Sequence, residues 1–150
     1  MPTETCRICA AIASDQPVVW QDEHWVLRHA AAPAGVAGWL TMYSRRHVRG
    51  IVDFTDEEAA SLGPVLRRIH RALESASGAP RIYSAAMGES VPHFHIHAVP
   101  READIDPSTA GWGVFLLQKE AAAGRVTLAP ERIDAIVTAV AESLQSSQWS

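Results

Sequence analysis

The sequence predicts an α+β domain with about five strands, a long helix after the third strand and a C-terminal helix. Three features carry that prediction: short strand-like stretches separated by turn residues, helical periodicity confined to two blocks, and no regular alternation of strand and helix of the kind a parallel sheet requires. With 150 residues the chain suits one domain, residues 1–150, which can bury roughly two thirds of its unfolded surface without disulfides.

Taken in order, residues 1–15 form an N-terminal segment holding Cys6-Arg-Ile-Cys9. Val18–Trp20 and Trp25–His29 read as two short strands around the turn Gln21–His24, and Gly38–Ser44 as a third. Thr55-Asp56-Glu57-Glu58 has the pattern of a capping box, after which Leu62, Val65, Leu66, Ile69 and Leu73 recur at helical spacing. Gly63-Pro64 predicts a kink or a split in that helix, since proline removes a donor and clashes with the preceding turn. Gly78-Ala79-Pro80 ends it. Arg81–Ala86 is the fourth strand, and Pro92–Pro100 alternates as a fifth. Arg101–Gly113 is the longest loop and a candidate lid. After a short helix, Pro130–Leu144 carries Ile133, Ile136, Val137, Val140 and Leu144 on one face of the terminal helix.

Composition narrows the function. The chain is 47% hydrophobic with a net charge of −4 from 13 basic and 17 acidic residues, and its arginines are spread out. No long nucleic acid is expected as a partner, because duplex affinity rests on many clustered phosphate contacts. The short cluster Arg45, Arg46, His47, Arg49 is either a solvated loop or a neighbour of an anionic ligand. No run of about 20 apolar residues spans a bilayer, and the N-terminus lacks a secretory pattern, so the expected address is cytoplasmic with reduced thiols.

The chemistry concentrates in His93-Phe94-His95-Ile96-His97-Ala98-Val99-Pro100. On a strand the three histidines share one face while Phe94, Ile96 and Ala98 face the core. At about 3.3 Å per residue, His93 and His97 would stand roughly 13 Å apart, too far to share one ion easily. Some of the imidazoles are then available for nucleophilic or acid–base work, and imidazole is a good nucleophile toward phosphorus. The preceding Gly88-Glu89-Ser90-Val91-Pro92 offers permissive backbone and a hydroxyl to an anion, and has no Gly-Lys-Ser/Thr ending of a Walker loop. Cys6-x-x-Cys9 has the spacing of two zinc thiolates, the remaining ligands being histidine or carboxylate, with a redox pair or two buried thiols as alternatives.

The stretch Gly88-Glu-Ser-Val-Pro-His-Phe-His-Ile-His-Ala-Val-Pro-Arg101 resembles the signature of the histidine triad (HIT) superfamily, in which three histidines alternate with apolar residues. The similarity runs over roughly residues 6–101 and includes the Cys-x-x-C, the strand ending in Arg45-Arg46-His47-Val48, and the capped helix. It implies a mainly antiparallel sheet, a homodimer, and hydrolase or nucleotidyl transferase activity on a small nucleotide or phosphate ester. By motif position, His95 would be the nucleophile, His97 and Ser90 would contact the phosphate and leaving group, and the His93 carbonyl would fix the His95 ring. Gly88 and Trp20 would line the substrate, with Trp20 as a wall for the base; read from the residues alone, Trp20, Trp25 and Trp39 are core, and His24, His29 and His70 are surface or satisfied histidines. Related zinc-binding members imply a structural zinc on Cys6, Cys9, His47 and His93, which frees His95 for phosphate. A non-catalytic binding module and a zinc hydrolase using His93-x-His95 are the alternatives. Two family features are missing: Leu27-Arg-His-Ala-Ala-Ala32 has no ribose-binding aspartate, and no asparagine stands near Tyr83 and Ser84.

Overall fold

The computed structural model describes residues 6–146; residues 1–5 and 147–150, including the start of the predicted N-terminal segment, lie outside the described residues. The elements are α1 (Arg7–Ile12), β1 (Trp20–Gln21), β2 (Trp25–His29), β3 (Leu40–Ser44), α2 (Asp56–Ser77), β4 (Arg81–Ala85), β5 (His95–Arg101), α3 (Leu117–Ala122) and α4 (Pro130–Ser146). The five strands form one sheet in the order β1-β2-β3-β5-β4, antiparallel throughout. The α+β class and the two long helices are as the sequence predicts.

One face of the sheet packs against α2 and α4. Leu27, Leu40, Met42, Ile82, Phe94 and Ala98 meet Val65, Ile69 and Leu73 of α2 and Ile136, Val140 and Leu144 of α4 in the main core. Alternation along each strand therefore presents Val26, Arg28, Thr41, Tyr43, His95 and His97 to the other face. There α1 and the segment around α3 provide partial cover. A second core cluster of Val36, Trp39, Val99 and Val114 sits under the turn Gly111–Leu116, and Phe115 and Leu117 pack on it.

Two expectations are corrected. The helix α2 runs unbroken through Gly63-Pro64. Its capping box, with Thr55 accepting from the Glu58 N–H and Glu58 accepting from the Thr55 N–H, and its buried face outweigh the roughly 3 kcal/mol a proline costs. Gly78 at φ 71° closes it in the left-handed region. The fifth strand begins at His95 rather than Pro92, because the Phe94 N–H is taken by the Val48 carbonyl at 2.6 Å and the His93 N–H by Val91 at 2.8 Å. Cys6 caps a short helix that contains Cys9, although the sequence before it gives no sign of a helix start.

The loop after β5 is anchored at its far end, where the Gly111 N–H donates to the Tyr83 hydroxyl at 3.0 Å. Among the described residues, no helix is long and apolar enough to cross a membrane.

Candidate active site and metal centre

The residues of the histidine stretch divide into two sites. His93, fully buried, ends a turn just ahead of β5. Its Nε2 lies 2.7 Å from the Ser44 carbonyl, which can only accept, so the ring proton sits on Nε2 and Nδ1 keeps a lone pair. That Nδ1 faces Cys6 Sγ at 3.5 Å and Cys9 Sγ at 3.4 Å, while His47 Nδ1 lies 3.4 Å from Cys9 Sγ. The four donor atoms lie within 4.8 Å of one another.

These distances fit a tetrahedral ion. With Zn–S of about 2.3 Å and Zn–N of about 2.05 Å, the S···N edge of a tetrahedron is about 3.6 Å. The donor chemistry also fits, since two soft sulfurs and two imidazoles suit zinc, and the Ser44 carbonyl orients the His93 ring as an outer partner. Burial pushes the Cys6 thiol up, but the backbone N–H groups of Cys9 and Ile8 and the Cys9 side chain more than offset it and bring the thiol below its usual value. Burial, then Cys6, holds Cys9 above its usual value.

His47 is placed by the loop between β3 and α2. Arg46 spans the loop, its Nε and a terminal nitrogen donating to the two oxygens of buried Glu58 at 2.7 and 2.8 Å. Arg45 donates to Gln21 Oε1 and the Asp22 carbonyl, and Arg49 pairs with Asp53. Arg45 and Arg46 therefore brace the loop.

His95 and His97 belong to the second site. His95 Nδ1 is 2.7 Å from the His93 carbonyl and must donate to it, so Nε2 of the neutral ring carries the lone pair. His97 has the opposite tautomer. Trp39 Nε1–H can only donate, and it reaches His97 Nδ1 at 3.1 Å, with Thr41 Oγ at 3.1 Å from the same nitrogen. The ring proton of neutral His97 is thus on Nε2. Burial, reinforced by His95, pushes its pKa down to about 4, so it is neutral at ordinary pH. The two rings meet edge to face at 5.4 Å, one offering a lone pair and the other an N–H.

Both rings line a cavity of about 430 Å³ roofed by α1 and floored by β2, β3 and β5, with Arg28, Tyr43, His29 and Ser90 among its walls. That is ligand-sized. Ser90 is exposed and lies at the cavity beside Val91, as its loop position implies. Gly88, at φ 71°, lines a smaller cavity of about 240 Å³ on the other side of His95, with Met87, Ile51 and Arg49. His29 is satisfied on both nitrogens, accepting from the Gly38 N–H on Nε2 and donating from Nδ1 to the Ala30 carbonyl.

Trp20 is a correction. Its register opposite Leu27 turns it to the helix-covered face, where it packs on the main core with the Arg68 guanidinium 5.5 Å from its ring centre. It does not line the cavity of His95 and His97. Conversely, sequence reasoning treats Trp39 only as core, and passes over Thr41 and Ser44. The pairing of Thr41 with His97 and of Tyr43 with His95 brings these residues to the site, and nothing in either strand alone reveals that register. The two sites are distinct: the four-residue donor cluster contains His93 and not His95.

Comparisons agree with this geometry. The HIT domain family matches residues 12–104. The chain is 27% identical over 151 residues to Protein hit of Bacillus subtilis, covering 96% of this chain and 97% of that one. In fold it is similar to a Zn-bound histidine triad family protein from Mycobacterium smegmatis, with TM-score 0.67 at 20% identity over 96% of this chain and 98% of that one. It is also similar to a hypothetical histidine triad nucleotide-binding protein from Sulfolobus tokodaii, with TM-score 0.68 at 14% identity over 97% of this chain and 100% of that one. The matched region and the alternating histidines at its end lead to one conclusion: the chain belongs to the HIT domain family.

Proposed function

We propose that this protein is a nucleotide phosphohydrolase or nucleotidyl transferase that works through a covalent nucleotidyl–His95 intermediate. One observation carries the reading most: the 2.7 Å bond from His95 Nδ1 to the His93 carbonyl, which leaves Nε2 free to attack. The substrate class is a nucleoside phosphoramidate, a dinucleoside polyphosphate or a similar phosphate ester.

In the first step the Nε2 lone pair attacks phosphorus, a P–N bond forms, and the bond to the leaving group breaks with its electron pair. The His97 Nε2–H and the Ser90 hydroxyl are the donors on hand for the charge that spreads onto phosphoryl and leaving-group oxygen or nitrogen. Both donors are set before the reaction, His97 by Trp39 and Thr41, so little reorganisation is needed as charge develops. In the second step water, or an acceptor hydroxyl, attacks the same phosphorus and releases a proton to solvent, matching the one the leaving group takes up on departure; the P–N bond breaks, and the nucleotide leaves with His95 restored. Gly88 and the loop to Ser90 supply backbone and hydroxyl at the phosphate.

Zinc held by Cys6, Cys9, His47 and His93 would be structural. Four protein ligands complete a tetrahedron and leave no position for an activated water, so its chemistry is to staple α1 and the β3–α2 loop to the start of β5. The reading has the protein in a reducing, cytoplasmic setting where both cysteines stay reduced and available to zinc, and as a homodimer, for which exposed Trp112 and Leu116 offer apolar surface. Light scattering tests the dimer.

A panel of phosphoramidates and dinucleoside polyphosphates, assayed with the wild type and His95→Ala, tests the function. The expected result is turnover of at least one compound that His95→Ala abolishes. Binding without turnover, unchanged in His95→Ala, would instead identify a non-catalytic module.

A further inference from the structure

The floor of the large cavity holds a charge that nothing among the described residues balances. Arg28 sits in the middle of β2, opposite Thr41, which in turn lies opposite His97, so the three form a row across the sheet. Arg28 is only 7% exposed. One terminal nitrogen donates to Gln16 Oε1 at 3.0 Å, the other to the Ala11 carbonyl at 2.8 Å, and among the described residues Nε has no partner. Both of these acceptors are neutral.

Elsewhere the pattern is reversed. Arg46, Arg49, Arg125 and Arg132, with side chains 51 to 75% exposed, each have a carboxylate. Among the described residues lining the cavity no aspartate or glutamate occurs, and Arg7 adds a second guanidinium at the rim. A buried cation without a counter-ion is costly, and removing its anion is what makes it so. With a buried arginine in its floor and no carboxylate among the described lining residues, this end of the cavity is built for negative charge.

We propose that the cavity takes a ligand with two anionic groups, the reacting phosphoryl group at His95 and a second phosphate or carboxylate that replaces Gln16 on Arg28. This rests on the phosphoryl reading above and narrows its substrate class. Two strand spacings and two residues along the strand separate the Arg28 and His95 backbones, about 12 Å, a span suited to a nucleoside 5′-phosphate whose sugar or base bears the second group. Gln16 is exposed and, among the described residues, one hydrogen bond holds its side chain, so an anionic oxygen displaces it readily.

Isothermal titration calorimetry with adenosine 5′-monophosphate, its 2′- and 3′-phosphorylated forms, and a form carrying a succinyl group on the base amine provides the test. At least one doubly anionic compound is expected to bind roughly tenfold to hundredfold tighter than the monophosphate, as a charge-assisted pair gives; whether it is a phosphate or the succinyl form identifies the source of the charge. Arg28→Met should erase that ratio. Gln16→Glu, on the surface and isosteric, should supply the anion internally, raise the melting temperature and reduce the ratio; it decides the matter if Arg28→Met does not fold. Equal affinities, or a ratio that survives either substitution, would overturn the inference alone. No binding by any of the compounds would overturn the phosphoryl reading with it.

Discussion

Gly35→Ala tests whether the docking of α3 holds the catalytic face together. A Cβ at position 35 would lie 2.4 Å from the Leu117 carbonyl carbon, 2.5 Å from its oxygen and 2.6 Å from the Gln118 nitrogen. All three are backbone atoms, so no rotamer change relieves the clash. An ordinary contact begins near 3.4 Å, and α3 must retreat by about 1 Å. Overpacking on that scale costs about 1–3 kcal/mol, and the retreat also strains the bonds from the Gly35 N–H to Gln118 Oε1 and from Gln118 Nε2 to the Pro33 carbonyl, 3.0 and 2.8 Å. For a domain of this size the melting temperature should fall by roughly 3–10 °C. The same shift carries Phe115 away from Trp39 and His97, whose rings it meets at 5.5 and 6.2 Å, so turnover should fall as well. Gly50→Ala is the control, since nothing lies within 4 Å of its Cβ and its φ of −173° is ordinary extended backbone. Scanning fluorimetry reads the outcome. A Gly35→Ala melt indistinguishable from the Gly50→Ala melt would refute the close approach.

Three further outcomes follow from the site. His97 should titrate near pH 4 by NMR and carry its proton on Nε2; because the unfolded ring binds a proton more readily, it should cost the native state stability as pH falls from about 6.5 toward 4, a slope absent in His97→Gln. A midpoint above 6 would contradict the burial of that ring. Cys9→Ser keeps the helix but removes a donor 3.4 Å from both His47 and His93, so zinc measured by elemental analysis should drop from near one per chain to well below it, with a lower melting temperature. Trp39→Phe leaves the His97 tautomer unset by removing its Nε1 donor, and should lower kcat about tenfold while changing KM little; an equal change in KM alone would mean Trp39 shapes the cavity and not the ring.

The sequence discloses those parts of this molecule whose signal is local. Thr55 and Glu58 define a helix start four residues long, and both reciprocal bonds form. The alternation of Phe94, Ile96 and Ala98 with histidine places the core on one side and chemistry on the other. What stays hidden depends on contacts between distant segments. His93 belongs with cysteines more than 80 residues away in sequence; the triad pattern and the resemblance bring it to the metal cluster, while its place ahead of β5 follows from bonds to Val48 and Val91. Trp20 looks the same to a periodicity argument whether it faces a ligand or a helix, and only its pairing with Leu27 decides. Arg28 is an unremarkable strand residue until Gln16 and Ala11 are found around it.

The central claim is that His95 Nε2 becomes covalently bonded to phosphorus. Incubation with adenosine 5′-phosphoramidate, quenching in alkaline detergent because the histidine P–N bond is acid-labile, and mass spectrometry of the intact protein and its peptides measure this directly. The predicted result is an increment of one nucleotidyl group on the peptide containing His95, absent in His95→Ala. Turnover with no such increment, or an increment that persists in His95→Ala, would contradict it.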